Sequence, residues 1–173
     1  MAGPVTAALA RLIEPQIDND DAFTAGMLHD FGKTAMVNSH SALFAKVLDE
    51  VDRRGTSFME AEQAAFGFDH AALGGRLALR WRLPTALSEA IRFHHGNSET
   101  LAMLPELQGR FVAIVALATV CMTSLGIGRD APIPNIDIAS QPAWKSLELD
   151  KEDLPSVIET CKKALADAKF FIG

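Results

Sequence analysis

From Phe111 to Gly128 the chain reads FVAIVALATVCMTSLGIG without one charged residue. A helix that is apolar on every side has no face to offer water and needs a shell of other elements around it. The run approaches the length of a membrane span. However, Thr119, Cys121, Thr123, Ser124, Gly126 and Gly128 interrupt it, and no other segment resembles a span. It is therefore expected at the centre of a helical bundle, with no membrane association.

The segments that would form the shell also read as helix. Thr6 to Glu14 is apolar at helical spacing and stops near Pro15. Asp20 and Asp21 can cap a second helix whose apolar face is Phe23, Met27 and Leu28, with Gly32 as its stop. Ser41 to Arg54 carries Leu43, Val47, Leu48 and Val51 on one face. Ser57 and Glu60 form a capping-box pattern for a helix ending near Gly67. Asp69 can cap Ala71 to Trp81, which Leu83-Pro84 closes, because a residue before proline avoids the helical region. Pro84 suits the first position of a helix running to His95. Pro132, Pro134 and Pro142 mark 128–142 as a loop, and a final amphipathic helix occupies 151–171. With no strand-like alternation, the expectation is an all-α, orthogonal multi-helix bundle.

Composition narrows the function. The net charge is −6 with Lys and Arg scattered, which argues against a nucleic-acid surface, since that needs a basic stripe. Two cysteines, Cys121 and Cys161, make no disulfide framework, and nothing resembles a secretory signal. A cytoplasmic protein is expected.

The polar chemistry concentrates in LHDFGK, where His29 and Asp30 stand side by side ahead of Gly32 and Lys33. If Gly32 ends the helix, Asp30 lies in its last turn, where exposed carbonyls disfavour an anion by roughly 0.3–1 kcal/mol. A bound cation would reverse that penalty. Four other histidines occur: His40, His70, His94 and His95. His40 suits a solvated loop, and a histidine in a last turn complements the helix dipole. His70 falls in a first turn, where a neutral ring with a free nitrogen is favoured. His29, Asp30, His70, His94 and His95 together make a donor mixture suited to Zn, Fe, Mn or Ni. Lys33 is placed to contact a phosphate. Phe23, Met27, Met36, Phe44, Phe66 and Phe68 are expected in the core, with Trp81 plugging a helix corner. Gly74-Gly75, which costs a helix about 1 kcal/mol per residue against Ala, points to close helix approach. Arg76, Arg80, Arg82 and Arg92 read as solvated.

AFTAGMLHDFGKTAM followed by FGFDHAALGGRLALRWRLPTALSEAIRFHH resembles the HDOD branch of the HD-domain superfamily, and the likeness extends through the apolar run to the C-terminal helix. The resemblance implies a single HD-type bundle over 1–173 and a bacterial signalling protein. It also implies that the helical layer usual before the first motif is truncated or absent. The wider superfamily includes metal-dependent phosphohydrolases, among them the HD-GYP cyclic-dinucleotide phosphodiesterases. Their ligand order is an upstream His, His-Asp, a lone His, His-His and a late Asp, of which His29, Asp30, His70, His94 and His95 match by position. Two ligands are missing: Met1 to Thr6 has no His, and Leu117-Ala118-Thr119 stands where the late Asp belongs. No GYP follows His95.

By that pattern one ion would use the upstream His, His29, Asp30 and the late Asp, and the other Asp30, His70, His94 and His95. Only the second set is complete, so one divalent ion is the implied cofactor. The favoured reading is a regulatory module with a degenerate active site that works through protein partners. The alternatives are a phosphohydrolase of a phosphodiester or nucleotide using the remaining site, and a metal-free structural remnant.

Overall fold

The uncharged run becomes the axle of the fold. In the computed structural model, which describes residues 2–128 and 136–172 with side chains to Ala168, it lies in a helix spanning Glu106–Ser124. Every residue from Phe111 to Ala118 is buried, and burying each large apolar side chain contributes about 1.5–3 kcal/mol. The helix is long and apolar enough to cross a membrane, yet 61% of that stretch is buried inside the fold.

Ten further α-helices surround or extend it: α1 (Ala2–Ile13), α2 (Asn19–Leu28), α3 (Phe31–Ser39), α4 (Ser41–Arg54), α5 (Phe58–Phe66), α6 (His70–Arg80), α7 (Thr85–Phe93), α8 (Ser98–Ala102), then the axle itself, α9, and α10 (Pro142–Ser146) and α11 (Leu154–Ile172). The described residues contain no strand, so the protein is all-α. Helices α1, α2, α7, α10 and α11 pack on α9 and share its core, with Val5, Leu9, Leu87, Trp144, Val157 and Cys161 among the buried members. A second, smaller core holds Met36, Phe44, Val47, Val51, Phe58 and Ala61 from α3, α4 and α5. Helix α6 bridges the two, packing on α3 and on α7.

Local signals explain most boundaries. The Ser57/Glu60 capping box is formed in full, and Gly67 ends α5 in the left-handed region at φ 77°. Asp69 caps α6 by accepting from the Ala72 N–H. Helix α4 matches its predicted span and ends at Gly55 with φ 65°.

Other expectations fail for identifiable reasons. Gly32 is no helix stop: α2 ends at Leu28, and Gly32 sits inside α3. A Cβ on Gly32 would lie 2.0 Å from the His70 carbonyl oxygen, so the glycine serves close approach of α3 to α6. Asp30 consequently lies between two helices rather than in a last turn. Asp18 is the cap of α2, with Asp20 and Asp21 in its first turn, and Pro84 is an N-cap rather than a first helical residue. Phe23, Met27 and Phe68 are exposed, not core. Trp81 is 60% exposed and lies against Phe31 instead of plugging a corner. Residues 129–135 of the supposed 128–142 loop lie outside the described residues, and its end already forms a 3-10 turn at Ile138–Ser140 and the start of α10.

Gly74 and Gly75 do mark close packing of α6 on α7. A Cβ on Gly74 would meet Ile91 Cγ2 at 2.9 Å, and one on Gly75 would meet Arg92 Cβ at 2.6 Å. Backbone cannot step aside as a methyl can. Gly32→Ala is therefore expected to lower the unfolding free energy by about 3 kcal/mol or more, against about 1 kcal/mol or less for Gly74→Ala. Urea unfolding of both variants measures the ordering, and equal losses would refute the backbone-clash account.

Candidate metal centre

Four helix ends meet at the seam between the two cores. His29 is the C-cap residue of α2, and Asp30 follows it, immediately before α3. His70 opens α6, and His94 and His95 follow the end of α7. Ligand atoms of Asp30, His70, His94 and His95 all lie within 4.8 Å of one another. His29 is not one of these four and faces the other side of Asp30.

The hydrogen bonds decide which nitrogens face inward. His94 Nδ1 lies 2.8 Å from the Ile91 carbonyl oxygen, so that nitrogen carries the proton and donates it. His29 Nδ1 donates in the same way to the Gly26 carbonyl at 2.8 Å. His70 Nδ1 donates to Glu62 Oε2 at 2.6 Å. In the neutral rings this leaves each Nε2 as a bare lone pair. His70 Nε2 is 3.3 Å from His94 Nε2 and 3.2 Å from His95 Nε2. Asp30 Oδ1 completes the set at 3.1 Å from His70 Nε2 and 3.7 Å from His94 Nε2.

Lone pairs converging in this way repel unless a proton or a cation sits between them. Ligands 2.1 Å from a tetrahedral ion would be about 3.4 Å apart, close to the four separations given, with every pair within 4.8 Å. The donor set of three imidazoles and one carboxylate thus fits a divalent ion of the Zn, Fe, Mn or Ni type.

Electrostatics follow the same geometry. Burial pushes the pKa of His94 well down, helped by the neighbouring imidazoles. Burial, with His70 nearby, lowers His95 to about 4, and burial also lowers His29. His70 goes the other way: burial opposes its charge, but hydrogen bonds to Asp30 and Glu62 outweigh it and raise its pKa. Burial alone would raise Asp30. The His70 hydrogen bond and the charges of His29 and Lys33 overcome it and hold the carboxyl well below the usual range. Without a cation, a proton shared toward Asp30 on His70 Nε2 relieves the repulsion.

The two oxygens of Asp30 are divided. Oδ1 faces His70 and His94, while Oδ2 lies 3.1 Å from Lys33 Nζ and 3.5 Å from His29 Nε2. Lys33 also stands 4.7 Å over the Phe58 ring. Thr119, at the position of the missing late Asp, donates its hydroxyl to the Val115 carbonyl at 3.0 Å. It lines both of two adjoining cavities that open onto the centre. One, of about 740 Å³, reaches His29, Asp30 and Lys33 between Phe44, Leu48 and Phe58. The other, of about 640 Å³, reaches His70 and His95 beside Ser57, Asp137 and Gln141.

Sequence reasoning missed Glu62. Its side chain is fully buried, and Oε2 accepts from both the backbone N–H and Nδ1 of His70. The available signal was an acid four residues after Phe58, in register with the inward face of α5. His40, between α3 and α4, is exposed as expected and stands 6.3 Å from the Phe66 ring, away from the centre.

The HDOD domain model matches residues 2–97 of the chain. An uncharacterized protein of Treponema pallidum (strain Nichols) is 26% identical over 123 residues, covering 71% of this chain and 23% of that protein. Among solved structures, an HDOD domain protein with unknown function from Geobacter sulfurreducens superposes with a TM-score of 0.74 at 24% identity, over 94% of this chain and 59% of that one. A putative phosphohydrolase from Shewanella amazonensis SB2B gives 0.59 at 20% identity, over 94% and 62%. The MmoQ response regulator of Methylococcus capsulatus str. Bath gives 0.57 at 21%, over 91% and 58%. The chain therefore spans less than two thirds of each of these proteins.

Imidazoles held neutral oppose folding as acid is added. Free in the unfolded chain, they take up protons near pH 6.5, while His29, His94 and His95 in the fold resist. Stability attributable to them falls as pH drops from about 6.5 toward 4. His70, with its raised pKa, acts in the opposite sense, leaving three groups against one. Urea midpoints of chelator-treated protein are expected to decline between about pH 6.5 and 5, and a midpoint rising with acid across that window would contradict the assignment.

Proposed function

Because the chain belongs to the HDOD domain family, we propose that it is a regulatory module with a degenerate hydrolase centre. It keeps one divalent-cation position, has lost the second, and delivers its output through contacts with protein partners. A bacterial, cytoplasmic setting belongs to the same proposal.

The observation that carries this reading is the division of the Asp30 carboxylate. One oxygen belongs to the three-imidazole set, and the other is engaged by the Lys33 ammonium. A second ion would need that second oxygen and a late carboxylate, and Thr119 offers only a hydroxyl already bonded within its own helix. Two-metal hydrolysis uses paired ions to stabilise attacking and leaving oxygens. Losing one removes several kcal/mol of transition-state stabilisation. When bound, a single ion would polarise an oxygen or acidify its water; Asp30, His70, His94 and His95 would hold it.

Support for a regulatory role comes from MmoQ, described as a response regulator. Exposed apolar residues add to it: Phe23 and Met27 lie four apart on α2, and Val37 is exposed on α3. The second reading, a mononuclear phosphohydrolase, is favoured by the tightness of the four-ligand set and by the Shewanella protein's description as a putative phosphohydrolase.

Elemental mass spectrometry of protein purified without chelator is expected to find about one transition-metal ion per chain, lost in Asp30→Ala. Metal-loaded wild type should hydrolyse bis(p-nitrophenyl) phosphate and nucleoside triphosphates no faster than that variant. Turnover abolished by Asp30→Ala would establish the hydrolase reading instead. A metal-free wild type that stays empty after reconstitution would sink both.

A further inference from the structure

We propose that Glu62 is a positioning residue of the centre, acting through His70. This rests on the reading that His70 is a ligand. Glu62 comes from a different helix than any of the four ligand residues, and its side chain is fully buried. One oxygen, Oε2, takes two bonds from a single residue: the His70 backbone N–H at 2.8 Å and the ring Nδ1 at 2.6 Å. Gripping backbone and ring at once fixes the side-chain rotamer of His70 and places the proton on Nδ1. Nε2 is then left bare and aimed at Asp30, His94 and His95. The other rings in the set receive weaker guidance, since His94 Nδ1 meets a neutral carbonyl. His70 donates to a carboxylate instead, which also makes its Nε2 a better electron donor.

The second oxygen of Glu62 is buried with no hydrogen-bond partner among the described residues. An unpaired carboxylate oxygen in the interior is costly, and a purely structural link from α5 to the His70 N–H needs no charge. An amide of the same shape could accept that N–H without one. The full carboxylate is explained by the imidazole it orients, through a carboxylate–histidine–cation relay.

The test compares wild type with Glu62→Gln, which keeps volume and an acceptor oxygen but removes the charge. Zinc affinity, measured by competition with a chromophoric chelator, is expected to fall 10–100-fold, with the thermal midpoint of the metal-free protein little changed. In a His70→Asn background the same Glu62→Gln change should leave zinc affinity unaltered, because the residue through which it acts is gone. Equal affinity of Glu62→Gln and wild type overturns the proposal, as does an undiminished loss in the His70→Asn background. Imidazole ¹⁵N NMR of metal-free wild type at pH 8.5 supplies a readout that needs neither variant nor metal. A proton is expected on His70 Nδ1, and an unprotonated Nδ1 would overturn the proposal. A wild type that takes up no zinc while showing Nδ1–H at His70 refutes the metal reading and leaves the orienting role of Glu62 intact.

Discussion

The contact on which the site depends is backbone against backbone. Gly32 lies so close to the His70 carbonyl that no side chain fits between them. That approach brings the start of α3 against the start of α6, and it therefore sets Asp30 beside His70. Gly74 and Gly75, one turn further along α6, let α7 approach as well, which carries His94 and His95 in. Glycine at these positions weakens each helix intrinsically, and the sequence accepts that weakness where helices must nearly touch.

Once those helices are seated, electrostatics does the rest. Three imidazole nitrogens and a carboxylate oxygen point at one small volume, an arrangement that repels itself unless positive charge intervenes. On the far side of Asp30 positive charge is already present in the Lys33 ammonium. The two faces of a single carboxylate thus meet different neighbours, imidazole nitrogens on one and an ammonium on the other.

The parts of the fold written in local chemistry were legible in the sequence. The Ser57/Glu60 box and the Asp69 cap act within one turn, and each was found where its pattern stood. The candidate ligands were legible too, because histidines and an aspartate in that order follow the family's motif. What failed were readings in which a residue's meaning comes from a distant neighbour. Gly32 has the look of a helix stop, and only the carbonyl of His70 shows that it is a contact. Phe23 and Met27 sit at core spacing on α2, yet both are exposed, with α1 crossing that helix closely at Gly3 and Gly26 and Met27 lying over Gly3. Glu62 was invisible because its partner lies beyond the turn that separates α5 from α6.

The two hydrophobic cores share no buried member. Parts of one fold can open locally with different free energies. The four candidate ligands straddle that division: Asp30 and His70 adjoin the α3–α5 layer, while His94 and His95 extend from α7, which is anchored on the axle. A cation held by all four would rivet one layer to the other. Its affinity would then be set partly by how often the layers part, and by linkage its arrival would suppress that parting. Occupancy at the centre becomes a mechanical state of the whole outer layer, felt on surfaces far from the ion.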